Sequence, residues 1–143
     1  MNPVLADFYG LPAPPSDNFA PVPVTDGSRH GLLTLGAVMA NYASADASHP
    51  FKRGAFFLDR ILCQELPPVG NMGVQVPPPD PTLTTRERFD IHSQSDQVCW
   101  DCHQYLDGPG FAFEHWDGVG RWRGTENGQP IDASGVLRGL ETF

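Results

Sequence analysis

Prolines divide this chain into short segments and so limit what it can fold into. Residues 12–23 contain five prolines, and residues 67–81 contain six. Proline lacks an amide donor and its ring disrupts helices, so neither stretch is expected to form regular secondary structure. Both are predicted to be extended loops. A loop as long as 65–81 in a compact domain usually binds or covers something.

The segments outside these loops carry helix signals. Asn2 can cap a helix that has Pro3 at its first position, and Thr84 or Thr85 and then Ser95 or Asp96 can cap two later helices. Apolar residues recur at helical spacing between the caps. The predicted helices cover residues 2–9, 31–44, 54–64 and 86–94, and a further one after residue 96 ends before Gly108-Pro109-Gly110. Asn127-Gly128 predicts a small β-hairpin near the C-terminus, so the predicted fold class is mostly α.

The last predicted helix carries the motif Cys99-Trp100-Asp101-Cys102-His103. C-x-x-C-H is the attachment signature of c-type haem. Two thiols three positions apart lie on one side of a helical turn, where they can add to the two vinyl groups of the porphyrin. The adjacent imidazole can then ligate the iron. The motif therefore predicts haem c, with thioethers at Cys99 and Cys102 and His103 as the proximal iron ligand.

Other uses of these cysteines are weaker. A zinc site could combine Cys99 and Cys102 with His92 and His115, but zinc ligands usually come as two separated pairs, and the chain has no second C-x-x-C or H-x-x-x-H. A redox-active cysteine pair would be expected within a βαβ pattern, which is absent from the sequence around it. The third cysteine, Cys63 in RILCQEL, is predicted to be a buried thiol that acts as a small apolar side chain.

The second axial ligand of the iron has several candidates. Met72 lies in the long proline-rich loop, Met39 on the apolar face of its helix, and His92 seven residues before Cys99. Core packing is the better prediction for Met39, and His92 is expected to pack beside the motif helix. His30, His49 and His115 are weaker candidates. The residues alone leave the choice open.

The region after the motif supplies candidate haem contacts and carboxylates. Arg121 and Arg123 could pair with the haem propionates, or with acidic residues nearby. Phe111 and Trp116 are candidates for the wall of the haem site. Four carboxylates in this region lack the spacing of a calcium loop and are predicted to be solvated or to cap turns. They are Asp107, Glu114, Asp117 and Asp132.

Charge and hydropathy exclude several functions. The net charge is −8 and the sequence pI about 4.8, which argues against nucleic acid as a partner and would favour a basic protein. No apolar run approaches the roughly 20 residues needed to span a membrane. The first ten residues, MNPVLADFYG, lack the basic start and apolar core of a signal peptide.

Four segments together resemble one known protein family. They are RHGLLTLGAVM (29–39), HPFKRGAFFLDRILCQELPP (49–68), TTRERFDIHSQSDQVCWDCHQYLDGPGFAFEHWDGVGRWR (84–123) and PIDASGVL (130–137). The residues of these segments, and the order of the segments along the chain, are similar to those of the c-type cytochrome-like domain of large exported multidomain bacterial proteins of unknown function. The resemblance implies a small cytochrome c-like helical domain, a haem site at Cys99, Cys102 and His103, and a family histidine at His92.

The resemblance also implies a domain division. Residues 1–28 would form an N-terminal helix and proline-rich strap that ends a preceding domain. Residues 29–137 would form the haem domain, and residues 138–143 a C-terminal tail. The chain would then be part of a longer protein, located in the periplasm or outside the cell.

Three functions follow as expectations. The leading one is a monohaem c-type cytochrome domain that transfers electrons to a redox partner protein or to adjacent domains of a larger parent. The second is a haem oxidoreductase or peroxidase-like centre of an exported enzyme, which needs an open iron position. The third is a zinc-stabilised interaction module. Whether the chain is an enzyme is left open.

Overall fold

The computed structural model describes residues 1–66 and 77–137, which are mostly helical, as the sequence predicts. The α-helices are α1 (Pro3–Phe8), α2 (Gly36–Asn41), α3 (Pro50–Phe56), α4 (Thr85–Ser93) and α5 (Gln97–Phe111). A 3-10 turn covers Leu32–Thr34, and a π-helical turn, Phe57–Ile61, continues α3. Strands β1 (Thr125–Glu126) and β2 (Gln129–Pro130) pair antiparallel. Residues 12–23 contain no helix or strand.

Local signals set the ends of several elements. The Asn2 side chain accepts a hydrogen bond from the Leu5 amide at 2.9 Å and so caps α1. At α4, Thr84 and Glu87 form a reciprocal capping box. The predicted hairpin is also confirmed. Asn127 and Gly128 have φ of 50° and 79°, the left-handed conformation that a two-residue I′ turn requires.

The predicted helices 31–44 and 54–64 have different limits in the structure. Leu35 is extended between the 3-10 turn and α2, so the first segment is divided. The second begins at Pro50, four residues earlier than predicted, because the His49 ring accepts the Lys52 amide and Pro50 occupies the first helical position. Apolar spacing alone did not reveal this start.

The helix that carries the cysteines is longer than predicted. Asp96 caps α5 through the Val98 amide at 2.8 Å, and the helix continues through Pro109 to Phe111. The backbones of α3 and of the last turns of α5 pack closely, and this packing favours a helix that continues to Phe111. A side chain at Gly110 would come within 2.3 Å of the Pro50 carbonyl, and one at Gly54 within 2.0 Å of the Leu106 carbonyl. Glycine thus lets α3 and the last turns of α5 pack backbone to backbone.

A buried arginine joins α3 to the loop after α5. The Arg53 side chain donates to the carbonyls of Phe113, Trp116 and Asp117 at 2.6–2.9 Å, and lies 3.7 Å from the Glu114 carboxylate. Next to it Met39, Phe113 and Trp116 form the apolar core. This arrangement fixes the end of α5 against the body of the domain.

Two of the carboxylates predicted to be solvated are instead buried. Glu114 accepts from the Ser48 hydroxyl at 2.8 Å and pairs with Arg123 at 3.0 Å. Burial raises the pKa of Glu114, while Arg53 and Arg123 oppose this shift. Asp107 is 8% exposed and faces α4. The prediction was wrong for both residues because each has a polar partner that comes from another element.

The prediction for Cys63 was also wrong. Its thiol is exposed, because the chain leaves the π-helical turn just before it and Cys63 adopts φ of 53°. Of the apolar neighbours that suggested burial, Ile61 lies on the turn, and Leu62 and Leu66 follow it. Within residues 1–66 and 77–137, no helix has the length and apolar character needed to cross a bilayer.

Candidate functional site

Helix α5 presents the two motif cysteines near its N-terminus. Residues three apart in a helix lie on the same side, and Cys99 and Cys102 are both half-buried with free thiols. The Cys99 sulfur lies 3.9 Å from the Ser95 hydroxyl, which donates to it. Both thiols are therefore accessible and unbridged on one face of the helix.

His103 is buried beside the thiols and held by a carboxylate. Its Nδ1 is 2.7 Å from Oδ1 of Asp107, one turn later on the same helix. The other carboxylate oxygen, Oδ2, is 2.9 Å from the Ser93 hydroxyl at the end of α4. Because a carboxylate accepts, the proton of the neutral imidazole belongs on Nδ1, and Nε2 keeps its lone pair. No hydrogen-bond partner for Nε2 is found among the described residues.

Two rings pack against the His103 imidazole. The ring centroid of Phe51, on α3, lies 5.2 Å away, and that of His92, on α4, lies at the same distance in an edge-to-face arrangement. Burial and the neighbouring His103 lower the pKa of His92, and Asp107 partly offsets this shift. His92 thus packs beside the motif helix, and its role as an iron ligand stays a prediction.

An apolar cavity adjoins the second cysteine. Its volume is about 460 Å³, within the range of roughly 300–1,000 Å³ that small-molecule and cofactor sites occupy. Its lining comes from α3, the π-helical turn, the segment after it and α5. The lining residues are Phe51, Ala55, Leu58, Gln64, Glu65, Leu66, Cys102, Tyr105 and Leu106.

The residues present fit a covalently attached haem. Two free, half-buried cysteines have the spacing that thioether formation needs, and no described residue bonds to Nε2 of the adjacent histidine. Cys102 lines the apolar cavity, whereas Cys99 and His103 do not. Cys99, Cys102 and His103 would hold the group, and Phe51 and Leu106 would contact its apolar surface.

Other predicted site residues lie in different surroundings. Met39 and Trp116 are part of the apolar core, where the Trp116 indole donates to the Ser28 carbonyl at 2.9 Å. Phe111 is buried beneath the Arg86 guanidinium. Met72 lies outside the described residues. The proposed roles of these side chains as haem wall or axial ligand remain predictions.

The two candidate propionate contacts already have carboxylate partners. Arg121 bonds to Asp117 at 2.9 Å, and Arg123 bonds to Glu114 and to Glu126, the latter at 2.7 Å. Both arginines line a second cavity of about 510 Å³, which none of the motif residues lines. This larger and more polar cavity is therefore separate from the cysteine site.

The ligands of the zinc alternative are not brought together. His115 stacks on Trp122 and its Nδ1 lies 3.0 Å from the Arg123 carbonyl. In the part of the chain that the structure describes, no three His, Cys, Asp or Glu side chains are placed to hold a metal ion.

Sequence reasoning missed three residues of this site. Asp107 could have been found, because His103 and Asp107 are four apart and so share a helix face. Ser93 and Phe51 come from α4 and α3, and only the packing of these helices on α5 shows their contacts.

The fold and the site define a small, mostly helical domain built around a C-x-x-C-H helix. Residues 29–126 match the family PSCyt3, described as a protein of unknown function (DUF1588). Since this match spans more than half of the chain, the chain belongs to that family, whose name hints at a cytochrome-like domain. No curated protein and no solved structure matches the chain.

Proposed function

We propose that this chain is a monohaem c-type cytochrome domain that transfers electrons. Cys99 and Cys102 would bind the porphyrin through thioethers, and Nε2 of His103 would ligate the iron. When bound, the haem would supply a one-electron couple between ferric and ferrous iron. The electrons would pass to a redox partner protein or to adjacent domains of a larger parent, in the periplasm or outside the cell.

One observation supports this proposal above the others. The two thiols are free and accessible on the face of α5 next to a buried histidine whose Nδ1 is already bonded to Asp107. No described residue bonds to Nε2 of this histidine, which supports its assignment as an iron ligand. The apolar cavity at Cys102 adds a surface suited to a porphyrin.

The test is production of the full chain together with c-type maturation enzymes. After denaturation and acid extraction, the wild-type polypeptide should retain haem with the absorption of a c-type pyridine complex. The double variant C99A/C102A should retain none. Cys63→Ala is the matched control, because Cys63 is an exposed thiol outside the motif, and this variant should keep its haem.

Complete loss of haem from the wild-type protein on extraction would refute covalent attachment. Zinc without iron in elemental analysis would favour an interaction module. A bis-ligated low-spin ferric spectrum would support electron transfer, whereas a high-spin spectrum would indicate an open position and favour a haem oxidoreductase.

A further inference from the structure

The side chain behind His103 is a buried carboxylate on the same helix. Asp107 lies 2.7 Å from Nδ1 of the imidazole and is 8% exposed. Histidines that bind metals donate their second ring N–H to a carboxylate, a carbonyl or water, and this partner fixes the tautomer and raises the basicity of the ligand. Of these three acceptors, the carboxylate carries a formal charge. Its hydrogen bond is therefore stronger than one to a neutral carbonyl or water.

Asp107 is itself held in place by the neighbouring helix. The Ser93 hydroxyl lies 2.9 Å from Oδ2 and 2.6 Å from the Phe89 carbonyl oxygen, and it shares its single proton between these two acceptors. Ser93 is 1% exposed, so this contact is shielded from water. Hydrogen bonds therefore connect Ser93 on α4 to Asp107 on α5, and Asp107 to His103 of the motif.

We propose that Asp107 is a positioning residue that sets the electronic character of His103 as an iron ligand; this rests on the proposed function. Its carboxylate keeps the proton on Nδ1, directs Nε2 toward the metal, and increases electron donation by the ring. A more basic axial ligand stabilises ferric over ferrous iron, so this domain would have a lower reduction potential than one whose histidine bonds to a neutral acceptor.

The main test compares reduction potentials of haem-loaded variants. Asp107→Asn keeps the shape of the side chain but removes the anionic acceptor. It should increase the equilibrium constant for reduction about tenfold, which is a rise of about 59 mV for one electron. Asp59→Asn is the matched control. It removes the same charge from a residue outside the motif, where Asp59 is exposed and pairs with Arg60, and it should leave the potential almost unchanged.

Loss of a buried negative charge would by itself also raise the potential, and a second variant separates this effect. Ser93→Ala keeps the charge of Asp107 but removes its support from α4. It should raise the potential by a smaller amount than Asp107→Asn. A wild-type potential in Ser93→Ala, together with a raised one in Asp107→Asn, would mean that charge alone acts, and would overturn the positioning role.

A measurement on the chain made without haem keeps this inference separate from the proposed function. The ¹⁵N chemical shifts of His103 should show the Nδ1–H tautomer in the wild-type protein and in Asp59→Asn. They should show a mixture of tautomers in Asp107→Asn, whose far-ultraviolet circular dichroism confirms that it is folded. Nε2–H in the wild-type protein would overturn the inference even if haem binds, whereas failure to bind haem would refute the proposed function and, with it, the role of Asp107 behind an iron ligand.

Discussion

His49, Arg53 and Glu114 are polar side chains that point into the interior, and each has a polar partner there. His49 caps α3 through the Lys52 amide, and Arg53 and Glu114 lie 3.7 Å apart in the core. Arginine and glutamate are mostly exposed in proteins, and histidine is intermediate. The burial of Arg53 and Glu114 was not predictable from the sequence because their partners come from segments up to 66 residues away.

His49 gives a prediction about pH. Burial, together with the cations Lys52 and Arg88, holds its pKa at about 4, below its usual value near 6.5. As the pH falls from 6.5 toward 4, the unfolded chain takes up a proton at this residue and the folded chain does not. The free energy of unfolding should therefore decrease over this range. His49→Asn keeps a good capping residue and should show a smaller decrease, measured by urea denaturation at pH 7 and pH 4.5.

The control for this prediction is His30→Asn, because His30 is exposed. It should keep the pH dependence of the wild-type protein. Equal decreases in the wild-type protein and in His49→Asn would contradict the assignment of this pH dependence to His49.

The candidate triplet of Cys99, Cys102 and His103 could be selected from the sequence because the chemistry proposed for it depends on spacing within one helix. Its surroundings were predictable only in part. Asp107 has a helical spacing from His103 that the sequence shows, but a carboxylate in a glycine-rich region resembles any solvated one. For Cys63 the error is in the opposite direction. Its apolar neighbours in sequence predicted a buried thiol, and the thiol is exposed.

Among the elements, the caps of α1, α4 and α5 and the hairpin turn were predictable because a few adjacent residues determine them. The close packing of α3 on α5 was not. It depends on Gly54 and Gly110, which lie on different helices and whose missing side chains allow backbone contact. This contact places Phe51 against His103, so the geometry of the candidate site depends on it.

A methyl group at Gly54 should therefore disturb both stability and the site. In Gly54→Ala the new carbon would lie 2.0 Å from the Leu106 carbonyl oxygen, and a backbone atom of a helix cannot move aside alone. Separation of the two helices should lower the free energy of unfolding by about 1–3 kcal/mol or more. Urea denaturation measures this loss.

Gly124→Ala is the matched control. Its new carbon would meet only the Trp122 ring at 3.4 Å, so its free energy of unfolding should stay within about 0.5 kcal/mol of the wild-type value. A similarly small change in Gly54→Ala would show that α3 and α5 do not pack at this distance.

On the scale of the whole molecule, the charge is unbalanced. The chain has 17 acidic and 9 basic residues, and its net charge is −8. Several of the basic residues are already paired, among them Arg53, Arg86, Arg121 and Arg123. The long-range field is thus negative, a property that composition predicts without knowledge of the fold.

This field should control how fast the haem-loaded domain exchanges electrons with charged reagents. Attraction between opposite charges speeds encounter, and salt screens it over about 10 Å at 0.1 M ionic strength. Reduction by cationic hexaammineruthenium(II) should slow as salt increases, and oxidation by anionic ferricyanide should accelerate. Stopped-flow absorbance at low and high ionic strength measures both rates. The same salt dependence for the two reagents would contradict a negative surface around the electron-transfer site, and with it the expectation of a basic redox partner.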